Sequence, residues 1–155
     1  MKHKADLQSV RALILAKKSL QRERLDLYHG KSGAGYANAG KPSKGMTPDS
    51  TVERTFLHME DQAAKLDWRI DSIKKVINHR LSEMLPVIQH IADKRYRDIL
   101  MQRYVAAQPW KVIARNLNYE RRYLMKLHYR ALVAYERWAS VLDKPDAFLE
   151  DQDAK

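Results

Sequence analysis

The chain has 155 residues, enough for one compact domain or for a small domain with an extended helical arm. Its 29 Lys and Arg against 19 Asp and Glu give a net charge of +10, which favours a polyanionic partner over an apolar one. The absence of Cys excludes disulfides, thiolate metal sites and cysteine nucleophiles, and five Gly with five Pro are too few for a turn-rich β fold.

No apolar run approaches a bilayer span, and Met1-Lys2-His3-Lys4 opens no signal peptide, so a soluble cytoplasmic protein without membrane association is expected. The excess charge is concentrated. Residues 93–140 hold eleven basic against four acidic side chains, and 143–155 reverse to an acidic tail.

Residues 1–29 read as an N-terminal amphipathic helix, with Leu7, Val10, Leu13, Ile14, Leu20 and Leu27 on one face and Arg11, Lys18 and Arg22 away from it. Residues 30–50 form a Gly/Pro linker holding Gly30, Gly33, Gly35, Gly40, Gly45 and Pro48. Its Gly-Lys-Ser follows no strand and lacks the spaced upstream glycine of a phosphate loop, which argues against nucleotide binding. Ser50 and Glu53 have the spacing of a capping box.

From there Val52, Phe56, Met59, Ala63, Leu66, Ile70, Ile73 and Ile77 alternate four and three apart, the seam of a coiled coil. The seam then shifts to Leu81, Leu85, Ile88 and Ile91, and Pro86 predicts a kink or break. A helix over 51–91 would be about 60 Å long at 1.5 Å per residue and needs a partner along its seam. The first helix folding back and a second copy of the chain are both open, and a four-helix arrangement accommodates both.

Asp93 is placed to cap a helix reaching about Ala106, with Tyr96, Ile99, Leu100 and Tyr104 inward. Pro109 and Trp110 open a second helix whose inner face is Ile113, Ala114 and Leu117. Asn118 suits the left-handed residue of a tight inter-helix turn. A longer helix then runs from near Glu120 to Leu142.

At about 100° per residue, Leu124, Leu127, His128, Ala131, Tyr135, Trp138 and Leu142 share its inner side. Arg122, Met125, Lys126 and Tyr129 fall opposite, flanked by Arg121 and Arg130. A face with bases, a Met and a Tyr suits base edges, phosphates and thymine methyls. The expected fold is therefore all-α: an N-terminal helix and a long coiled-coil-like helix, then a helix-turn-helix domain over 93–142.

The run from Arg103-Tyr-Val through Lys111-Val-Ile-Ala-Arg115-Asn-Leu-Asn-Tyr119 to Leu124-Met-Lys-Leu-His-Tyr-Arg-Ala-Leu132 resembles the region-4 helix-turn-helix of sigma-70-type factors. It resembles more closely the ArpU/RinA-like phage transcription regulators. That resemblance implies a sequence-specific activator of phage late genes in the host cytoplasm, at the nucleoid. Its partners would be double-stranded DNA, RNA polymerase and a second copy of itself.

Carried over by position, Arg121, Arg122, Tyr123, Met125, Lys126 and Tyr129 occupy the groove-facing stretch, and Lys111 and Arg115 clamp phosphates. The family often opens its recognition helix with Ser or Thr, where this chain has Glu120. That carboxylate can accept from cytosine N4, or pair with Arg121 or Lys126.

A DNA-packaging subunit of the small-terminase kind is the alternative, separable by the mass of its rings in solution. His128 reads as a buried or rim histidine, and the other histidines lack ligand spacing. No metal site, cofactor or nucleophile–base pair is expected, and an enzyme is not.

Overall fold

The computed structural model describes residues 2–29 and 48–143, and every regular element among them is helical: α1 (Lys2–His29), α2 (Pro48–His90), α3 (Lys94–Leu100), α4 (Trp110–Asn116) and α5 (Arg121–Leu142), with a π-helical turn over Met101–Val105. The all-α class follows, with five α-helices. None of the described helices is long and apolar enough to cross a membrane. The residues 30–47 of the expected linker and 144–155 of the expected tail lie outside the described residues.

Two compact units divide the chain, one made of Met1–Leu15 with Val76–Lys155 and the other of Ala16–Lys75. In the second, Leu20 of α1 and Ala63 and Leu66 of α2 are buried, and Arg24 forms an ion pair with Asp67.

Helix α2 starts at Pro48, ahead of the expected capping box. Proline has a preset φ and no N–H to leave unsatisfied, so it suits a first turn, and Ser50 falls inside the helix and not at its cap. The side chains of 48–52 lie outside the described residues. The helix then runs through Pro86 without a break. An internal proline costs about 3 kcal/mol, and burying side chains such as Met84, Val87, Ile88 and Ile91 contributes about 1.5–3 kcal/mol each, so packing outweighs the proline.

The shift of seam expected after Ile77 is met in part, since Ile88 and Ile91 are buried. Ile77, Met84 and Ile91 are buried at strict seven-residue spacing, while Leu81 and Leu85 are only half-buried. Arg80 falls at the intervening seam position and is exposed, so the heptad is interrupted there and resumes at Met84 and Val87.

Asp93 caps α3 as expected: its carboxylate accepts from the Arg95 backbone N–H at 2.9 Å and from the Arg95 side chain at 2.8 Å. Arg97 donates back to the Ile91 and Ala92 carbonyls, satisfying acceptors just past the end of α2.

The expected helix to 106 instead widens into the π turn, with the Ala106 N–H bonding Met101 O at 2.9 Å. Ala107 then takes φ 55° and the Gln108 N–H reaches back to Gln102 O. Pro109 sits just before α4, at its cap position, and not at its first helical residue.

Helix α4 ends in a Schellman closure. The Tyr119 N–H bonds Ala114 O at 2.9 Å, the Asn118 N–H bonds Arg115 O, and Asn118 takes the left-handed φ of 53°. The short side chain of Asn tolerates that conformation better than any other non-glycine residue, and the chain reverses into α5 there.

Candidate functional site

The α3, α4 and α5 segments are held by one apolar cluster of Ile99, Ile113, Leu124 and Leu127, each almost wholly buried. Tyr96, Trp110, Ala114, Leu117, Tyr119 and Met125 pack around it. With those side chains fixed inward, the 3.6-residue repeat dictates which residues of α5 point away.

Arg121, Arg122, Lys126 and Arg130 are exposed, Tyr129 is 63% exposed and Tyr123 is 41% exposed. Lys111 and Arg115 of α4 are exposed as well, as is Glu120 at the α5 cap position. Among the described residues, none of these six cations forms an ion pair with a carboxylate. Glu120 makes no side-chain cap hydrogen bond, and pairs with neither Arg121 nor Lys126.

One residue of the expected face is misplaced by the angular reading. Met125 is half-buried and packs against the apolar cluster. Its long unbranched side chain bends back over the preceding turn toward the apolar interior, where burial of its thioether is favourable. The inner side also differs at the far end of α5: Leu132 and Ala139 are buried, and Leu142 is exposed.

Sequence reasoning missed two neighbours of the face. The Tyr119 and Tyr123 rings meet edge to face with centroids 5.4 Å apart, which fixes Tyr123 at the start of α5. Arg95, held in its fork with Asp93, lies close enough to both tyrosines to feel their phenols. The Arg95–Asp93 bond raises the guanidinium pKa and lowers that of the carboxyl. The Arg95 contact depends on the meeting of α3 with the turn and α5, which no local pattern encodes.

Behind the face, the Tyr104 hydroxyl and His128 Nε2 are 3.0 Å apart, and Trp110 meets the His128 ring edge-on at 4.7 Å. Burial pushes the His128 imidazole down to about 4, so it is neutral at pH 7. This is the inward histidine that the angular count placed there.

The last turns of α5 have a different character. A cleft of about 490 Å³ is lined by His3, Asp6, Arg80, Glu83, Tyr135 and Asp143, with both signs of charge. Burial and the nearby Asp6, Glu136, Asp143 and Glu83 push the Tyr135 phenol up to about 12. No group of three His, Asp or Glu side chains gathers to hold a metal ion among the described residues.

Comparison with protein-family models, curated proteins and solved structures finds no match to this chain.

Proposed function

We propose that the chain is a sequence-specific regulator of transcription that binds double-stranded DNA through a helix-turn-helix formed by α4, the Asn118 turn and α5. The observation that carries this reading is the outer side of α5. Its first three turns present Arg121, Arg122, Lys126 and Arg130 with Tyr123 and Tyr129, and no carboxylate among the described residues pairs with them. Such a face matches the acceptors of guanine and the methyl of thymine, while Lys111 and Arg115 on α4 suit backbone phosphates. Phosphate contacts provide most of the affinity, and the 122–129 stretch provides discrimination of about 1–3 kcal/mol per good base contact.

The site residues in this reading are Lys111, Arg115, Glu120, Arg121, Arg122, Tyr123, Lys126, Tyr129 and Arg130. Met125 supports the helix from inside. The reading extends to a homodimer joined through α2, whose Phe56, Leu57 and Trp68 are exposed although large and apolar. The resemblance to phage regulators supplies the rest: activation of late genes through RNA polymerase in the host cytoplasm.

The test is selection of bound sequences from random duplexes, followed by footprinting of the variants. Arg122→Ala and Lys126→Ala are expected to lose site preference while keeping the helical circular-dichroism spectrum of the parent. Footprints identical to the parent's in both variants would remove α5 as the reading helix.

A further inference from the structure

We propose that the cleft bounded by the start of α1, residues 80–87 of α2 and the end of α5 binds a small aliphatic diamine. Its polar contacts are the Tyr135 hydroxyl and the carboxylates of Asp6, Glu83 and Asp143. The volume of about 490 Å³ falls within the range of small-molecule sites. Met84, Val87 and Ala139 form a buried apolar floor, and Tyr135 lies among them at 5% exposure.

A phenol buried to that degree ordinarily has a hydrogen-bond partner. The Tyr135 hydroxyl has none among the described residues, yet it is not one of the enclosed atoms left without a partner. The little surface that Tyr135 keeps therefore includes its oxygen, and the cleft is what that surface meets.

Asp6, Glu83 and Asp143 are exposed around this floor. The His3 ring lies between two of them, with Nδ1 3.7 Å from Asp6 and Nε2 3.7 Å from Asp143. His79 stands 3.6 Å from Glu83. These distances exceed a hydrogen bond, so the carboxylate oxygens keep lone pairs for a ligand. Arg80 is the one guanidinium in the lining, and among the described residues no carboxylate pairs with it.

The rim is thus acidic on a chain whose net charge is +10. The same carboxylates, with Glu136 and burial, push the Tyr135 phenol up to about 12, so the hydroxyl keeps its proton at neutral pH and sits in a negative field. An ammonium group supplies the missing charge and up to three N–H donors to the rim. An aliphatic stem covers Met84 and Val87, and a second ammonium donates to the Tyr135 oxygen. A monoamine leaves that oxygen unmet, and an anion is repelled by the rim.

The test is calorimetric titration of the full chain, without DNA, using 1,4-diaminobutane at fixed ionic strength. Saturable one-to-one binding is expected, with n-butylamine about tenfold weaker. Tyr135→Phe removes only the hydroxyl and is expected to bring the diamine down to the affinity of n-butylamine. Asp6→Asn with Asp143→Asn is expected to weaken both amines. Both of those residues are exposed, so this pair keeps the test open even where Tyr135→Phe loses stability.

No saturable binding in the parent, equal affinity for the two amines, or undiminished diamine binding in the Asp variant would overturn the site. Nα-acetyl-lysine amide binding as tightly as the diamine would overturn it too, by making a lysine of another polypeptide the occupant. Arg122→Ala with Lys126→Ala is expected to bind the diamine like the parent, so failure of the regulator reading is distinguishable from failure of this one.

Discussion

The outer side of α5 and the outer side of α2 both break the ordinary pattern of a surface helix, in opposite ways. On α5 the first three turns expose cations that no carboxylate among the described residues pairs with. On α2 the stretch from 56 to 68 exposes Phe56, Leu57 and Trp68, the last at 72%, and its few charges lean acidic, with Glu60, Asp61 and Asp67 against Lys65, which bridges Asp61 at 2.6 Å. Exposed cations favour an anionic partner, and exposed large apolar groups favour an apolar surface.

The comparison can be broken most forcefully at the cluster that presents α5. Leu124 is fully buried, so Leu124→Ala is expected to destabilise its unit by about 3 kcal/mol or more, whereas Leu57→Ala on the exposed side of α2 stays within about 0.5 kcal/mol. Chemical denaturation of the two variants measures this directly; equal losses would mean that Leu57 is not a surface residue.

A smaller effect is expected from acid. His128 is held at about 4 against an ordinary 6.5, so the unfolded chain takes up its proton first as pH falls. The stability tied to neutral His128 is fully present above pH 6.5 and is lost as pH falls toward 4. Unfolding midpoints across that window should drop in the parent and drop less in His128→Gln. The lowered Asp93 carboxyl acts only at still lower pH.

The smallest effect concerns the bend itself. Asn118→Ala places a Cβ-bearing residue without Asn's local hydrogen bonding at φ 53°, at a cost of about 1 kcal/mol, while Asn118→Gly is expected to match or exceed the parent in thermal melting.

What could be read in advance divides along physical lines. Asp93 as cap, Asn118 as the left-handed residue, and Ile99, Ile113, Leu124 and Leu127 as interior side chains were all legible, because each is fixed by local stereochemistry or by a strict period. The cationic residues of α5 were legible for the same reason.

Met125 was not, since an angle around a helix locates a Cβ and not the end of a flexible side chain. The burial of Met84 and Val87 was hidden by Arg80, an exposed charged residue where the seven-residue repeat would place an apolar one. The widened turn over 101–105 left no trace at all: Ala107 takes a positive φ with neither Gly nor Asn to announce it, and the Arg103–Trp110 stack depends on that turn.

That widened turn has a further meaning for how the chain tolerates changes in length. A helix that bonds each N–H five residues back holds one residue more per loop of backbone than its neighbours, and everything beyond it is rotated by about a quarter-circle or slightly more. Excising any one residue between Met101 and Val105 would leave a better helix locally and a worse protein globally. Tyr104 and Arg103 would turn by roughly 100° relative to the helix on the other side of the deletion, and Trp110 and His128 would lose the neighbours that now brace them.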